Sequence, residues 1–335
     1  MPVDEYCAEL ATLPQTAIDS VVRSALMVTI ALEDIYVNLD SDPNSALELC
    51  LSRQMNAIED ARRLAQHLAE TRGAGGDDVD TRVLFENAWG GYSDMTYDHA
   101  VSLIDKRLAR SGLDAAFFAG KQCFDGGCGI GRFSISMAKL GASKVVAADI
   151  GQQSLDYTAR QVQRLGLKSV ETVQQDVTDL SRWPAGSFDF VASYGVLHHT
   201  PDPIGGLREH FRIVRPGGVL WLYLYGAGGM YWETYDRLRS VISRYSVQDV
   251  KAALQRMGLR EGLVYTFLDN VLAPRTYHYE ADIIATLREV DPTLTYRRAT
   301  GSSVIDDVDT SLATKFGKQV IGPQGEVRLI ITKGA

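Results

Sequence analysis

The sequence predicts an α/β chain: a doubly wound, mostly parallel sheet of seven strands ending in an antiparallel C-terminal hairpin, preceded by a small all-α domain. Three observations carry this. From about Lys121 onward, strand, turn and helix alternate, and single helices between successive strands mean parallel crossovers. Gly126, Gly127, Gly129 and Gly131 crowd the short stretch from Asp125 to Arg132, where so much bare backbone costs entropy and must serve a close approach. The first seventy residues carry apolar side chains at helical spacing and no strand pattern.

In chain order, a first helix is expected over Thr16 to Val37, ending at the turn-rich NLDSDPN. A second places Leu47, Leu51, Met55, Ile58, Ala61, Ala65 and Leu68 on one face, with Ser45 as its N-cap. Their apolar stripes serve as their own core, a homodimer surface or a cover for the second domain. Thr71 to Asp78, rich in Gly and Asp, reads as a linker. A helical domain over residues 1–75 is therefore expected, followed by a second domain over 76–335. In that domain KQCFD, SKVVAADI, SVETVQQD, SFDFVASYG and VLWLYLYG read as strands, with helices between them closed by Gly141, by Gly166 and by the turn RPGG. Helices follow near Trp232–Ile242, Ser246–Met257 and Tyr279–Val290, and the strands TLTYRRATG and EVRLIITKG close the chain as a hairpin, turning at Gly322 to Gly325.

The composition fits a globular chain with a sizeable core: 335 residues, 45% hydrophobic and 23% charged. A formal net charge of −8 and the lack of a basic stripe argue against a nucleic-acid partner. The apolar windows are too short for a membrane span, and MPVDEYCAEL lacks the order of a signal peptide. Cys7, Cys50, Cys123 and Cys128 form neither a CxxC nor a metal-ligand pattern. Free thiols, a cytoplasmic location and no metal are expected.

A strand ending in an acid, then a glycine-rich turn, then a helix forms a cradle for a ligand at the carboxyl edge of a sheet. The spacing is neither G-x-G-x-x-G, since position 132 is Arg132, nor the G-x-x-x-x-G-K-[ST] phosphate loop. The stretch FDGGCGIGRFSISMAKLGASKVVAADI instead resembles the first two motifs of the class I S-adenosylmethionine-dependent methyltransferases. Four motifs stand in order over roughly Gln122 to Gly226; the tail resembles the family loosely and the N-terminal helices not at all. The resemblance implies S-adenosylmethionine as cofactor, held by Asp125, Gly127, Cys128, Gly129 and Gly131. It implies that Asp149, with Ile150 beside it, meets the ribose hydroxyls, and that Asp176 and Val177 meet the adenine. Tyr194, at the end of the fourth strand, joins the same set. A carboxylate suits a pair of adjacent hydroxyls because it accepts two charge-assisted bonds at once. Gly126 departs from the family, which has an aliphatic residue there, and is expected only to loosen the turn.

The acceptor side is less legible. His198 and His199 follow the fourth strand, and either could take a proton from an acceptor hydroxyl or serve only to shape the pocket. Tyr277, His278 and Tyr279 stand ahead of a helix, in the tail where the family places substrate-facing insertions, here about 227–290. They read as an acceptor pocket or as a cap packed on the core. Trp89, Tyr92 and Tyr97 are alternatives for an aromatic that closes over the cofactor. The leading reading is a methyltransferase of a small molecule, in specialised metabolism. The alternatives are a peptide or protein acceptor docked on the N-terminal helices, a non-catalytic cofactor-binding scaffold and, less favoured, aminopropyl transfer.

Overall fold

The computed structural model describes residues 2–68, 94–259, 261–302 and 306–335. The expected linker, together with Trp89 and Tyr92, lies outside the described residues. The chain divides into two compact units: Met1–Leu84 with Gly228–Pro274 and Leu312–Pro323, and Phe85–Ala227 with Arg275–Ser311 and Gln324–Ala335. The single boundary read near residue 75 therefore does not describe the division. The helices of 228–274, expected as insertions of the second domain, pack with the N-terminal ones, because their apolar faces match each other.

In the helical unit, Val3–Ala11 packs on Met230–Ile242, and Ile18–Val37 packs on Val247–Arg256. Pro43–Leu68 starts two residues before Ser45. Asp42 is the cap: one carboxylate oxygen accepts from Asn44 N at 3.1 Å and the other from Ser45 Oγ at 2.6 Å. Ser45 thus lies inside the first turn. Leu47, Leu51, Ile58 and Ala61 are buried as the stripe predicts. The helix Glu261–Leu272, which the sequence reading missed, buries Val264, Tyr265, Phe267, Leu268, Val271 and Leu272. Glu33 cross-links the unit, its carboxylate accepting from Tyr231 Oη at 2.6 Å and Tyr235 Oη at 3.0 Å.

Among the described residues of the other unit the strands form one seven-stranded sheet. They are β1 Gln122–Gly126, β2 Lys144–Asp149, β3 Val170–Gln174, β4 Phe188–Tyr194, β5 Val214–Leu224, β6 Thr295–Arg298 and β7 Val327–Thr332. The order is β3-β2-β1-β4-β5-β7-β6, with β7 antiparallel to both β5 and β6. The expected hairpin is present, with β7 inserted between β5 and β6. Arg215 to Gly218, read as a turn, belongs to β5: Val214 pairs with Phe188, and the register shifts before Val219 pairs with Phe190.

Side chains alternate across the sheet with the two-residue period of a strand. Phe124, Val146, Val191, Leu220 and Leu222 pack on one face with Leu207 and Phe211 of the helix Pro203–Ile213. Cys123, Val145, Phe190 and Trp221 pack on the other with Ile104 and Leu108 of Asp94–Arg110 and Met137 of Arg132–Lys139. Burial on both faces is why these strands read as continuous apolar runs. Chain order reverses between β1 and β4, and the carboxyl ends of those two strands bound the crevice where such sheets take ligands.

Gly126 has a structural partner that the sequence did not reveal. A Cβ there would lie 2.1 Å from His210 Nε2, and His210 is fully buried with Nδ1 2.7 Å from Gly206 O. Gly126 therefore makes room for an imidazole rather than loosening the turn. Gly126→Ala is expected to cost about 1–3 kcal/mol through this overpacking, read by urea denaturation. The loss should shrink when His210→Ala is added, and equal losses with and without the second change would refute the pairing.

Candidate functional site

The glycine loop leaves β1 and is fastened on several sides. Gly127 N and Cys128 N both donate to Ala148 O of β2, at 2.8 and 2.9 Å. Asp149, at the end of β2, accepts from Gly129 N through Oδ2 and from Gly151 N through Oδ1, both at 2.8 Å. Thr158 Oγ1 donates to Gly129 O at 3.0 Å and Tyr97 Oη to Ile130 O at 2.8 Å.

Gly127, Gly129 and Gly131 all have positive φ, at 73°, 53° and 78°. A side chain at any of them would be strained. The space around them differs. A Cβ on Gly127 would strike Val196 at 2.4 Å and one on Gly131 would strike Thr158 at 2.5 Å, whereas one on Gly129 would meet no atom of the described residues within 4 Å. The loop is thus walled by protein at its two ends and open in the middle. Tyr97 is fully buried and supports the loop through Ile130, so it does not close over the open side.

Asp125 is buried under the loop, and its Oδ2 accepts from Ser134 Oγ at 2.6 Å. The helix Arg132–Lys139 starts at Gly131, which has no capping side chain; Asp125 supplies the cap from the strand. It is a support of the loop rather than an exposed ligand. Burial pushes its carboxyl up to about 6, against the opposing hydrogen bonds from Ser134. Cys128 is also buried, and its thiol is pushed well above the usual range by burial and by Asp149 and Asp125, which rules out a ready thiolate.

Around Asp149 the edge continues into the end of β3. Gln175 N donates to Asp149 O at 2.9 Å, joining the end of β3 to the end of β2. Ile150 is 49% exposed directly after the acid. Asp176 is exposed, and its Oδ1 accepts from Thr178 N at 2.8 Å and Thr178 Oγ1 at 2.7 Å, an Asx turn that leaves Oδ2 on the outside. Val177 is buried beside it.

Across the reversal point, Tyr194 packs on Phe133 at 5.1 Å and on Tyr223 at 4.9 Å between ring centroids. His198 and His199 fall in a short 3₁₀ turn, Leu197–His199, and the geometry separates them. His198 is fully buried and stacked on Tyr225 at 3.7 Å. Neither of its ring nitrogens has a hydrogen-bond partner among the described residues. Burial first, then His199, His278 and Arg275, hold it neutral, well below the usual imidazole range. His199 is 8% exposed. Thr276 N donates to His198 O at 2.8 Å and His278 N to Tyr225 O at 2.9 Å, so the structure brings His278 to this corner. Tyr277 is half-buried, and Tyr279 is 48% exposed at the start of the helix Glu280–Arg288.

Residues 124–222 match the family model described as a methyltransferase domain. That span contains the loop, Asp149, Asp176 and the paired histidines. The match to a methyltransferase domain thus falls on the site-bearing part of the sheet unit. A ubiquinone biosynthesis O-methyltransferase of Xanthomonas oryzae pv. oryzae is 38% identical over 128 residues, 37% of this chain and 50% of the relative. Its counterpart in Acinetobacter baylyi is 30% identical over 130 residues, 39% of this chain and 53% of the relative. The chain spans about half the length of these curated relatives. Among solved structures, the magnesium protoporphyrin IX methyltransferase of Synechocystis, determined with bound SAH, aligns over 76% of this chain and 93% of that one. Its identity is 18% and its TM-score 0.43.

Asp125 contributes to the pH dependence of the sheet unit's stability. Its folded pKa, about 6, lies above its ordinary 3.8, so folding favours the protonated form. This acid's contribution is greatest below the ordinary value and is lost as pH rises to about 6. Buried His198 and His210, both held below the usual imidazole range, favour folding as pH rises through the same window, so the share of Asp125 is read as a difference: denaturant midpoints should climb more steeply with pH in Asp125→Asn than in the wild type. An unchanged slope in the variant would place the ionisation elsewhere.

Proposed function

We propose that the chain transfers a methyl group from S-adenosylmethionine to an oxygen of a small-molecule acceptor. The observation that carries this reading is the loop open only at Gly129, with the Asp149 carboxylate fixed beside it by two backbone amides. The residues fit the cofactor. The Asp149 carboxylate, held by two backbone amides, would accept from the ribose hydroxyls. The exposed side chain of Ile150 offers an apolar surface to the adenine, and Asp176 Oδ2 offers an acceptor to its amino group. Gly127, Cys128 and Gly129 present bare backbone to the amino-acid portion.

When bound, S-adenosylmethionine supplies an electrophilic methyl on a sulfonium, the reactive part of the chemistry. The protein's part is alignment and exclusion of water, and orientation alone supplies much of a displacement's rate. The loop is well placed for this because its shape is set by Ala148, Asp149, Thr158 and Tyr97 before any ligand arrives. For a hydroxyl acceptor, His198 or His199 would receive the proton. The O-methyltransferase names of the relatives favour oxygen and a small molecule, and the formal net charge of −8 disfavours nucleic acid.

No helix among the described residues is long and apolar enough to cross a membrane, and the cysteines are free. We place the enzyme in the cytoplasm on these grounds. A second copy on the N-terminal helices is in keeping with the exposed Met27, Ile30 and Leu49.

Calorimetry with S-adenosylhomocysteine tests the reading. Asp149→Ala should weaken binding by at least about tenfold, the value of one or two charge-assisted hydrogen bonds. Gly129→Val, which strains the loop and fills its open side, should abolish binding, with circular dichroism unchanged in both variants. No uptake by the wild-type chain would overturn the proposal, as would wild-type affinity in both variants.

A further inference from the structure

The corner formed by the end of β5, the 3₁₀ turn and residues 275–278 carries more than a place for an acceptor. Its backbone is tightly specified. His278 N donates to Tyr225 O and Ala227 N donates to His278 O at 3.1 Å, forming a bridge between Gly226 and His278, while Thr276 N ties the same segment to His198 O. The ring of His198 is thereby held against Tyr225, with His199 4.2 Å and Tyr223 5.9 Å away between centroids.

Two features of this corner are chemically incomplete. The first is His198 itself, a fully buried imidazole whose two nitrogens meet no partner among the described residues. Native structures rarely leave such groups unsatisfied, because each unmade bond costs on the order of 1–3 kcal/mol. The second is the sign of the charge. The groups that act on His198 are His199, His278 and Arg275; Arg275 is a permanent cation, and burial holds His278 below the usual imidazole range, so the set supplies donors and one positive charge. The acid that β7 brings to this side, Glu326, is already committed. It accepts from Tyr223 Oη at 2.7 Å and is paired with Arg328.

We propose that the acceptor binds at this corner as an anion, its carboxylate or phenolate oxygen received by Arg275, His198 and His278. This rests on the methyltransferase reading and names the class of acceptor for it. The chemistry balances without a base. The anionic oxygen forms a bond to the methyl carbon, the carbon–sulfur bond breaks, and its electron pair stays on sulfur. The negative charge of the acceptor and the positive charge of the sulfonium cancel, and no proton moves. A neutral histidine with no carboxylate to orient it is poorly equipped as a general base, and here none is required. It serves as a donor to the anion.

The test uses the full chain saturated with S-adenosylhomocysteine and two matched pairs of probes: 4-hydroxybenzoate with 4-hydroxybenzamide, and 4-nitrophenolate with nitrobenzene. The charged member of at least one pair should bind on the order of tenfold more tightly than its neutral partner, and the pair that responds identifies carboxylate or phenolate. Arg275→Gln and, independently, His278→Gln should each erase most of that preference. Arg275→Lys should restore part of it. Affinity for S-adenosylhomocysteine should stay unchanged in all three, which keeps this result separate from the cofactor reading. Equal binding of charged and neutral members, no binding by either charged probe, or a preference that survives both neutralising variants overturns the proposal.

Discussion

The bond on which the rest of this molecule depends is the carboxylate of Asp149 held between Gly129 N and Gly151 N. A loop with three left-handed glycines is costly to order, since glycine loses more freedom on folding than any other residue. Left to itself it would sample many shapes, few of them able to hold a nucleoside. Asp149 fixes the middle of the loop, Ala148 O fixes its start, and Thr158 and Tyr97 fix its far side. The same acid also fixes the first amide after β2. One residue thereby sets the distance between two strand ends. Asp125 completes the arrangement from below at a cost in desolvation, which its bond to Ser134 offsets only in part.

What could be read from the sequence follows a physical divide. Gly127, Gly129 and Gly131 were legible because positive φ demands glycine, and Asp149 because the strand before it has a clear apolar pattern. The partners that make the loop rigid were not legible. Tyr97, Thr158 and His210 reach it from helices distant in the chain, and their own local patterns announce only helix. Gly126 was misread for this reason, its counterpart being an imidazole on another element. Arg215 to Gly218 imitated a turn because Pro and Gly signal turns, yet the strand accommodates them in a bulge. The single domain boundary failed because helices far apart in sequence share one apolar face.

A second buried network lies under the carboxyl ends of β4 and β5. Arg328 pairs with Asp306 at 2.8 Å and with Glu326, and Arg107 pairs with the same Asp306 at 2.8 Å. Burial works to raise the Asp306 carboxyl, but Arg328 and Arg107 prevail and hold it well below the usual range. The guanidiniums also lie over rings, Arg107 5.5 Å from Tyr194 and Arg328 5.1 Å from Tyr223. Such buried pairs add little net stability once desolvation is counted. Their use here is geometric: they pin Tyr194 and Tyr223 at the carboxyl ends of β4 and β5, where the lone arginine in the apolar stretch EVRLIITKG was the only signal in the sequence.

Taken across the sheet, the strand order separates carboxyl groups from imidazoles. The ends of β3, β2 and β1 carry Asp176, Asp149 and Asp125, whereas the ends of β4 and β5 carry His198, His199 and, through the added bridge, His278. The acids of the second network do not blur this division, because Asp306 and Glu326 are bound by arginines. An edge of carboxylates suits a ligand that is cationic at sulfur and rich in hydroxyls, and the neutral His198 offers the other end a donor rather than a charge. Under the proposed reading, a sulfonium and an anionic acceptor would be held at opposite ends of one edge and would meet near the reversal between β1 and β4. Their charges would cancel as the methyl moves, so the products would be held less strongly than the reactants. Encounter and release would then use the same interactions, with no moving part required.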